Sequence, residues 1–201
     1  MRKICFKIHK WLSLVLGVFM SILCFSGEIM LFCNNLTVKK LHRFLFMVPE
    51  NVHGGMSAGR LLMDLTAICM TLVLITGIVI WWPKNKEMLK NRLTIDFRKG
   101  FGKFVHDSHV VLGIFACIFL LLMTITGPAF GLNWYREGLM SIFGIKALKM
   151  LHLGLWGGWV SKIIYAVAAV IGGLLPISGY YLWWHKRQYK KHNHNNNKES
   201  I

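Results

Sequence analysis

Four long apolar blocks, nearly free of charge, alternate along the chain with short segments rich in Lys and Arg. The blocks run over 11–33, 61–82, 109–132 and 160–184, and Glu28, Asp64 and Lys162 are the charges inside them. Each holds 22 to 25 residues. As a helix rising ~1.5 Å per residue, a block of that length crosses a hydrocarbon core of ~30 Å with some tilt. Strand-type alternation is absent, and lipid offers backbone polar groups no partners, so the blocks are predicted as membrane-spanning helices. The first block follows MRKICFKIHK and superficially resembles a signal peptide. It is too long, however, and no small-x-small cleavage pattern follows Phe25-Ser26-Gly27-Glu28, so it is read as a retained span. Residues 1–192 are expected to form a single transmembrane domain, with 193–201 a disordered polar tail.

The two halves of the chain match each other. His9 precedes Ser26-Gly27 as His109 precedes Thr126-Gly127, at an offset of 100. Val38-Lys39-Lys40-Leu41-His42 matches Leu148-Lys149-Met150-Leu151-His152 at an offset of 110. Ile75-Thr76-Gly77 with Trp81-Trp82 matches Ile177-Ser178-Gly179 with Trp183-Trp184 at an offset of 102. The predicted architecture is therefore an all-α integral membrane bundle of four helices, built from two parallel two-helix repeats, 1–100 and 101–192. Its pseudo-two-fold axis lies along the membrane normal, so equivalent residues share a depth on opposite sides of that axis. Every span also carries a Ser/Thr-Gly pair. Close helix packing accounts for such pairs, and room for a flat porphyrin against the helix face is a compatible reading.

Composition agrees with the pattern. Of 201 residues, 55% are hydrophobic and 16% charged, against about 45–50% and 25% in soluble domains. The net charge of +16 does not point to nucleic acid, because the basic residues sit in short connections rather than on a folded soluble face. Residues 1–10, 83–108 and 185–201 carry sixteen Lys and Arg; 34–60 and 133–159 carry seven. By the positive-inside rule both termini are cytoplasmic, and the Trp pairs fall at the inner interfacial belt. The five cysteines form no CxxC pair, and buried thiols packing as small apolar groups is the expectation.

Nine histidines are many for a membrane chain. His192 and His194 lie in the polar tail, His185 follows the inner Trp pair as an interfacial anchor, and His53 lies in an unmatched insertion. His106, one turn from His109, is a candidate to support that ligand from behind or to replace it. His9 and His109 at one end, and His42 and His152 at the other, form two symmetric pairs. Ionisable residues at membrane depth are costly and mark function. Two neutral imidazoles converging from opposite helices suit six-coordinate haem iron. Zinc would need about four ligands, and neither pair has an accompanying thiolate or carboxylate. Glu28 steers protons or iron, or else snorkels to the outer headgroups.

The segments His9-Lys10-Trp11-Leu12, Leu41-His42-Arg43, His106-Asp107-Ser108-His109-Val110-Val111-Leu112-Gly113 and Leu151-His152-Leu153-Gly154-Leu155-Trp156-Gly157-Gly158 stand in order among the Ser/Thr-Gly pairs. In this the sequence resembles the PepSY-associated transmembrane family, iron-regulated membrane proteins that include haem-containing ferric-siderophore reductases. The resemblance spans roughly residues 5 to 190. It implies two b haems held by His9, His42, His109 and His152, and electron flow outward across the bacterial inner membrane. Larger relatives insert PepSY domains in the outer loop; here that loop has about 27 residues, which puts any docking role of those domains in doubt.

The resulting expectation is a haem-dependent oxidoreductase. A cytoplasmic electron donor would supply electrons, and a periplasmic ferric chelate, such as a ferric siderophore, would accept them. The terminal iron fits because iron(II) matches hard oxygen donors less well than iron(III). The rivals are a non-enzymatic accessory subunit of a metal or siderophore importer, working beside a periplasmic or membrane partner, and a transporter of iron or haem. The spans lack the polar lining a transporter needs.

Overall fold

The computed structural model describes residues 1–33, 36–45 and 58–199. His53 and the whole of the unmatched insertion, about residues 48–55, lie outside the described residues. The helices are α1 (Arg2–Phe32), α2 (Leu36–Leu45), α3 (Ala58–Trp81), α4 (Lys86–Arg92), α5 (Phe101–Thr126), α6 (Asn133–Phe143), α7 (Ile145–Leu153) and α8 (Gly158–Glu199), with a 3-10 turn at Gly127–Phe130. Four are long and apolar enough to cross a membrane: α1, α3, α5 continued by the 3-10 turn, and α8 as far as Tyr189. This is the all-α, four-span protein the apolar blocks predict.

The spans outrun their apolar blocks. Helix α1 begins at Arg2 and α5 at Phe101, so His9 and His109 stand about two turns inside a helix rather than at its end. Helix α8 continues through the Lys- and Asn-rich tail to Glu199, where composition predicts a disordered segment from residue 193. A formed helix propagates at little cost per residue.

Around the bundle the spans follow the order α1, α3, α5, α8, each packing on its two neighbours. Helices α1 and α5 therefore occupy opposite corners, as do α3 and α8. Met20, Met70, Leu74, Ala116, Cys117, Leu120 and Ala168 fill the centre. All five cysteines are free thiols; Cys117 is part of the core and the Cys24 sulfur lies against Gly172. The C-terminal end of α3 is tied down by side chains. Arg2 donates to the carbonyls of Val79 and Trp82, and Arg92 to those of Ile80 and Trp81. These guanidiniums satisfy last-turn carbonyls that have no partner within the helix.

The close approach of helices rests on glycines other than the Ser/Thr-Gly pairs. A Cβ on Gly173 would fall 2.6 Å from the Phe25 ring, and one on Gly172 would fall 2.7 Å from Leu120. Ser21 fixes the same α1–α8 contact by donating to the Gly173 carbonyl at 2.8 Å. Gly173→Ala is expected to destabilise the bundle by about 1–3 kcal/mol through overpacking. Thermal unfolding in detergent measures this, with Gly27→Ala, where a Cβ meets nothing within 4 Å, as the neutral comparison.

Candidate functional site

Each of the four histidines singled out by the repeat is seated on one Ser/Thr-Gly pair. The His9 Nδ1 on α1 lies 2.9 Å from the Val73 carbonyl and 3.3 Å from the Thr76 hydroxyl on α3. The His109 Nδ1 on α5 lies 2.7 Å from the Ser178 hydroxyl on α8, with the Leu175 carbonyl as its backbone partner. At the other end of the bundle, the His152 Nδ1 on α7 lies 3.0 Å from both the Met123 carbonyl and the Thr126 hydroxyl on α5. The His42 Nδ1 on α2 lies 2.8 Å from the Ser26 hydroxyl on α1. In three of the four seats the carbonyl belongs to the residue three before the Ser or Thr.

The direction of these bonds fixes the tautomer. Thr76, Thr126, Ser178 and Ser26 each donate their single hydroxyl proton to a carbonyl of their own helix, those of Leu72, Leu122, Leu175 and Ile22, at 2.8, 2.6, 2.8 and 2.5 Å. Toward the imidazole each hydroxyl is therefore an acceptor, as a carbonyl always is. The Nδ1 atoms of His9, His109 and His152, each facing a carbonyl, carry the proton, which leaves their Nε2 atoms with the lone pair a metal would use. Metal-ligating histidines are oriented in this way, by a hydrogen bond from the other ring nitrogen.

The glycine of each pair makes space for the ring. A Cβ at Gly77 would lie 3.3 Å from His9 Cε1, at Gly127 3.4 Å from His152 Cε1, and at Gly179 3.9 Å from His109 Cε1. Three of these glycines abut an imidazole, and a Cβ at Gly27 would meet nothing within 4 Å.

His9 and His109 meet across the bundle, their ring centroids 6.5 Å apart and their planes at 85°. An imidazole nitrogen bonds a first-row metal at about 2.0–2.1 Å, with the ring centre ~1.2 Å further back, so two rings on opposite sides of one metal have centroids about 6.5 Å apart. The separation of the His9 and His109 rings matches that of two imidazoles sharing one metal. Among the described residues, no three or more His, Cys, Asp or Glu are grouped to hold a metal.

His42 and His152 sit at the far end on short helices outside the spans. His42 is 9% exposed. Burial lowers the pKa of His42, and takes that of His152 down to about 4 against the pull of its Met123 carbonyl. Both rings are neutral near pH 7, the state a metal requires. Helix α7 is clamped in place: Gly154 ends it with a left-handed φ of 64°, and Ser161 on α8 donates to the Gly154 carbonyl at 2.5 Å.

The remaining candidates sit elsewhere. His106 is turned outward and holds Asp107 at 3.1 Å. His185 stacks on Tyr181 with centroids 5.8 Å apart and packs over Gly102. The side chains of His192 and His194 lie outside the described residues. Glu28 lines an apolar groove between α1 and α8, with one carboxylate oxygen buried and without a hydrogen-bond partner among the described residues. The ammonium of Lys162 lies over the Phe32 and Trp159 rings nearby. Asp64 is 7% exposed and packs so closely on Gly131 that a Cβ there would collide with its carboxylate.

These features define a polytopic helical membrane protein with imidazoles seated in its interior at both ends. Residues 34–146 match the family model described as the PepSY-associated TM region, and the chain belongs to that family. The match takes in His42 and His109, while His9 and His152 lie beyond its two ends. No curated protein and no solved structure matches the chain.

Proposed function

We propose that the chain is a di-haem b electron-transfer protein of the bacterial inner membrane, and that it reduces a ferric chelate on the periplasmic side. His9 and His109 hold one haem near the cytoplasmic face; His42 and His152 hold the other near the periplasmic face. The observation that carries this reading is the His9–His109 pair: 6.5 Å between ring centroids, each Nδ1 tied to the neighbouring helix, and each Nε2 left as the ligating nitrogen. The matching seats of His42 and His152, and the repeat offsets that relate them, support a second site of the same kind. The Lys and Arg bias supports cytoplasmic termini, with the first pair on the donor side.

When bound, the haems supply a one-electron relay between the two faces. The chain's own part is to hold neutral imidazoles at fixed depth, to keep water from them by burial, and to set the iron potentials through the Nδ1 hydrogen bonds. The test is optical and analytical. Purified protein is expected to be red, to show the reduced-minus-oxidised bands of low-spin haem b, and to contain two irons per chain. A preparation that stays colourless after haem supplementation overturns the reading.

A further inference from the structure

The two connections at the end of the bundle away from the termini carry seven Lys and Arg against two Glu. Short segments on the translocated side are usually poor in Lys and Arg, so a surplus there calls for a local cause. Its placement is also specific. Lys39 stands three residues before His42 on α2, and Lys149 three residues before His152 on α7, at the same offset of 110 that relates the histidines. Residues three apart share a helix face. Both lysines are exposed, as is Lys146 one turn earlier on α7. Arg136 lies on α6, which packs against α7, its guanidinium held at 2.5 Å by Asn133. Among the described residues of these two connections, Glu137 is the one acid. Each half thus repeats a pairing of a buried imidazole with an ammonium one turn away at the surface.

We propose that this basic surface binds the acceptor, and that the acceptor is an anionic ferric chelate: iron(III) wrapped by carboxylate or catecholate oxygens whose summed charge exceeds that of the metal. Lys39 and Lys149 are the principal contacts, with Lys146 and Arg136 extending the positive field. The inference deepens the proposed function by giving its acceptor a charge. As a binding site, however, it does not need a haem to be tested.

The probe is gallium(III), a redox-inert stand-in for iron(III), as a tris-catecholate trianion and as an uncharged tris-hydroxamate. Titration calorimetry of the full chain in non-ionic detergent is expected to show the trianion binding at least about tenfold more tightly than the neutral chelate. The preference should fade as salt rises from about 0.05 to 0.5 M and the screening length shrinks. Lys39→Glu with Lys149→Glu is expected to weaken trianion binding about tenfold. Lys84→Glu with Lys86→Glu, the same charge change at the opposite end, should leave it unchanged. Equal affinity for the two chelates, or an equal effect of the two double variants, overturns the proposal. So does a Lys39/Lys149 variant that changes the haem spectrum or phosphatidylglycerol binding but not chelate binding, because the lysines would then serve haem propionates or lipid. A colourless protein that still discriminates the two chelates defeats the haem reading and leaves this one standing.

Discussion

Replacing His109 with Ala is expected to remove one of two haems and to leave the other unchanged. His9→Ala is expected to produce the same loss, because the two ring centroids are 6.5 Å apart, the spacing of imidazoles that share one metal. The reduced-minus-oxidised amplitude should fall by about half, since low-spin haem requires both axial ligands. A potentiometric titration should collapse from two waves to one. His42→Ala and His152→Ala should remove the wave that His9→Ala and His109→Ala spare. The fold should survive each change. In His9→Ala the Val73 carbonyl loses its imidazole partner, a loss of about 1 kcal/mol, which a detergent melting curve resolves from global unfolding. If His9→Ala and His42→Ala remove the same wave, the ligands are paired along the chain rather than across it, and the assignment by depth is wrong.

The spans were legible because lipid imposes a simple demand: an unbroken apolar block long enough to cross, with its backbone bonds made internally. The non-spanning helices were not, since α2, α4, α6 and α7 are short and their apolar residues do not form a block that hydropathy isolates. The four histidines could be read from the repeat, because matched offsets single out His9, His42, His109 and His152 from the other five. Their seats could not. His9 and Thr76 are 67 residues apart, and His109 and Ser178 are 69 apart, so the contact exists only once the helices pack. The signal available was numerical: four repeated histidines and four Ser/Thr-Gly pairs, one for each. Helix packing was assigned to the wrong glycines for a related reason. Gly172 and Gly173 have no counterpart in the first half's alignment, and only coordinates show the Phe25 and Leu120 side chains pressed against them.

Gly77→Val and Gly127→Val are expected to act on opposite haems, each about as strongly as loss of an outer-shell partner, ~10–100-fold in haem affinity. Even a single Cβ at Gly77 would lie 3.3 Å from His9 Cε1, and at Gly127 3.4 Å from His152 Cε1. The branched methyls of valine reach further, so the ring must turn, and its Nε2 leaves the line through the iron. Thr76→Val and Thr126→Val test the other half of the seat. They remove the hydroxyl at nearly constant volume, but the Val73 and Met123 carbonyls still accept the Nδ1 proton. These variants should keep both haems and shift only the potential of the haem concerned. Haem titration of apoprotein, followed wave by wave, separates the outcomes. Were these glycines serving helix contact, Gly77→Val would lower the melting temperature of the apoprotein and weaken both haems alike. If they seat imidazoles, each substitution is felt at one end of the bundle, and the hydroxyl and glycine variants divide into a change of potential and a loss of binding.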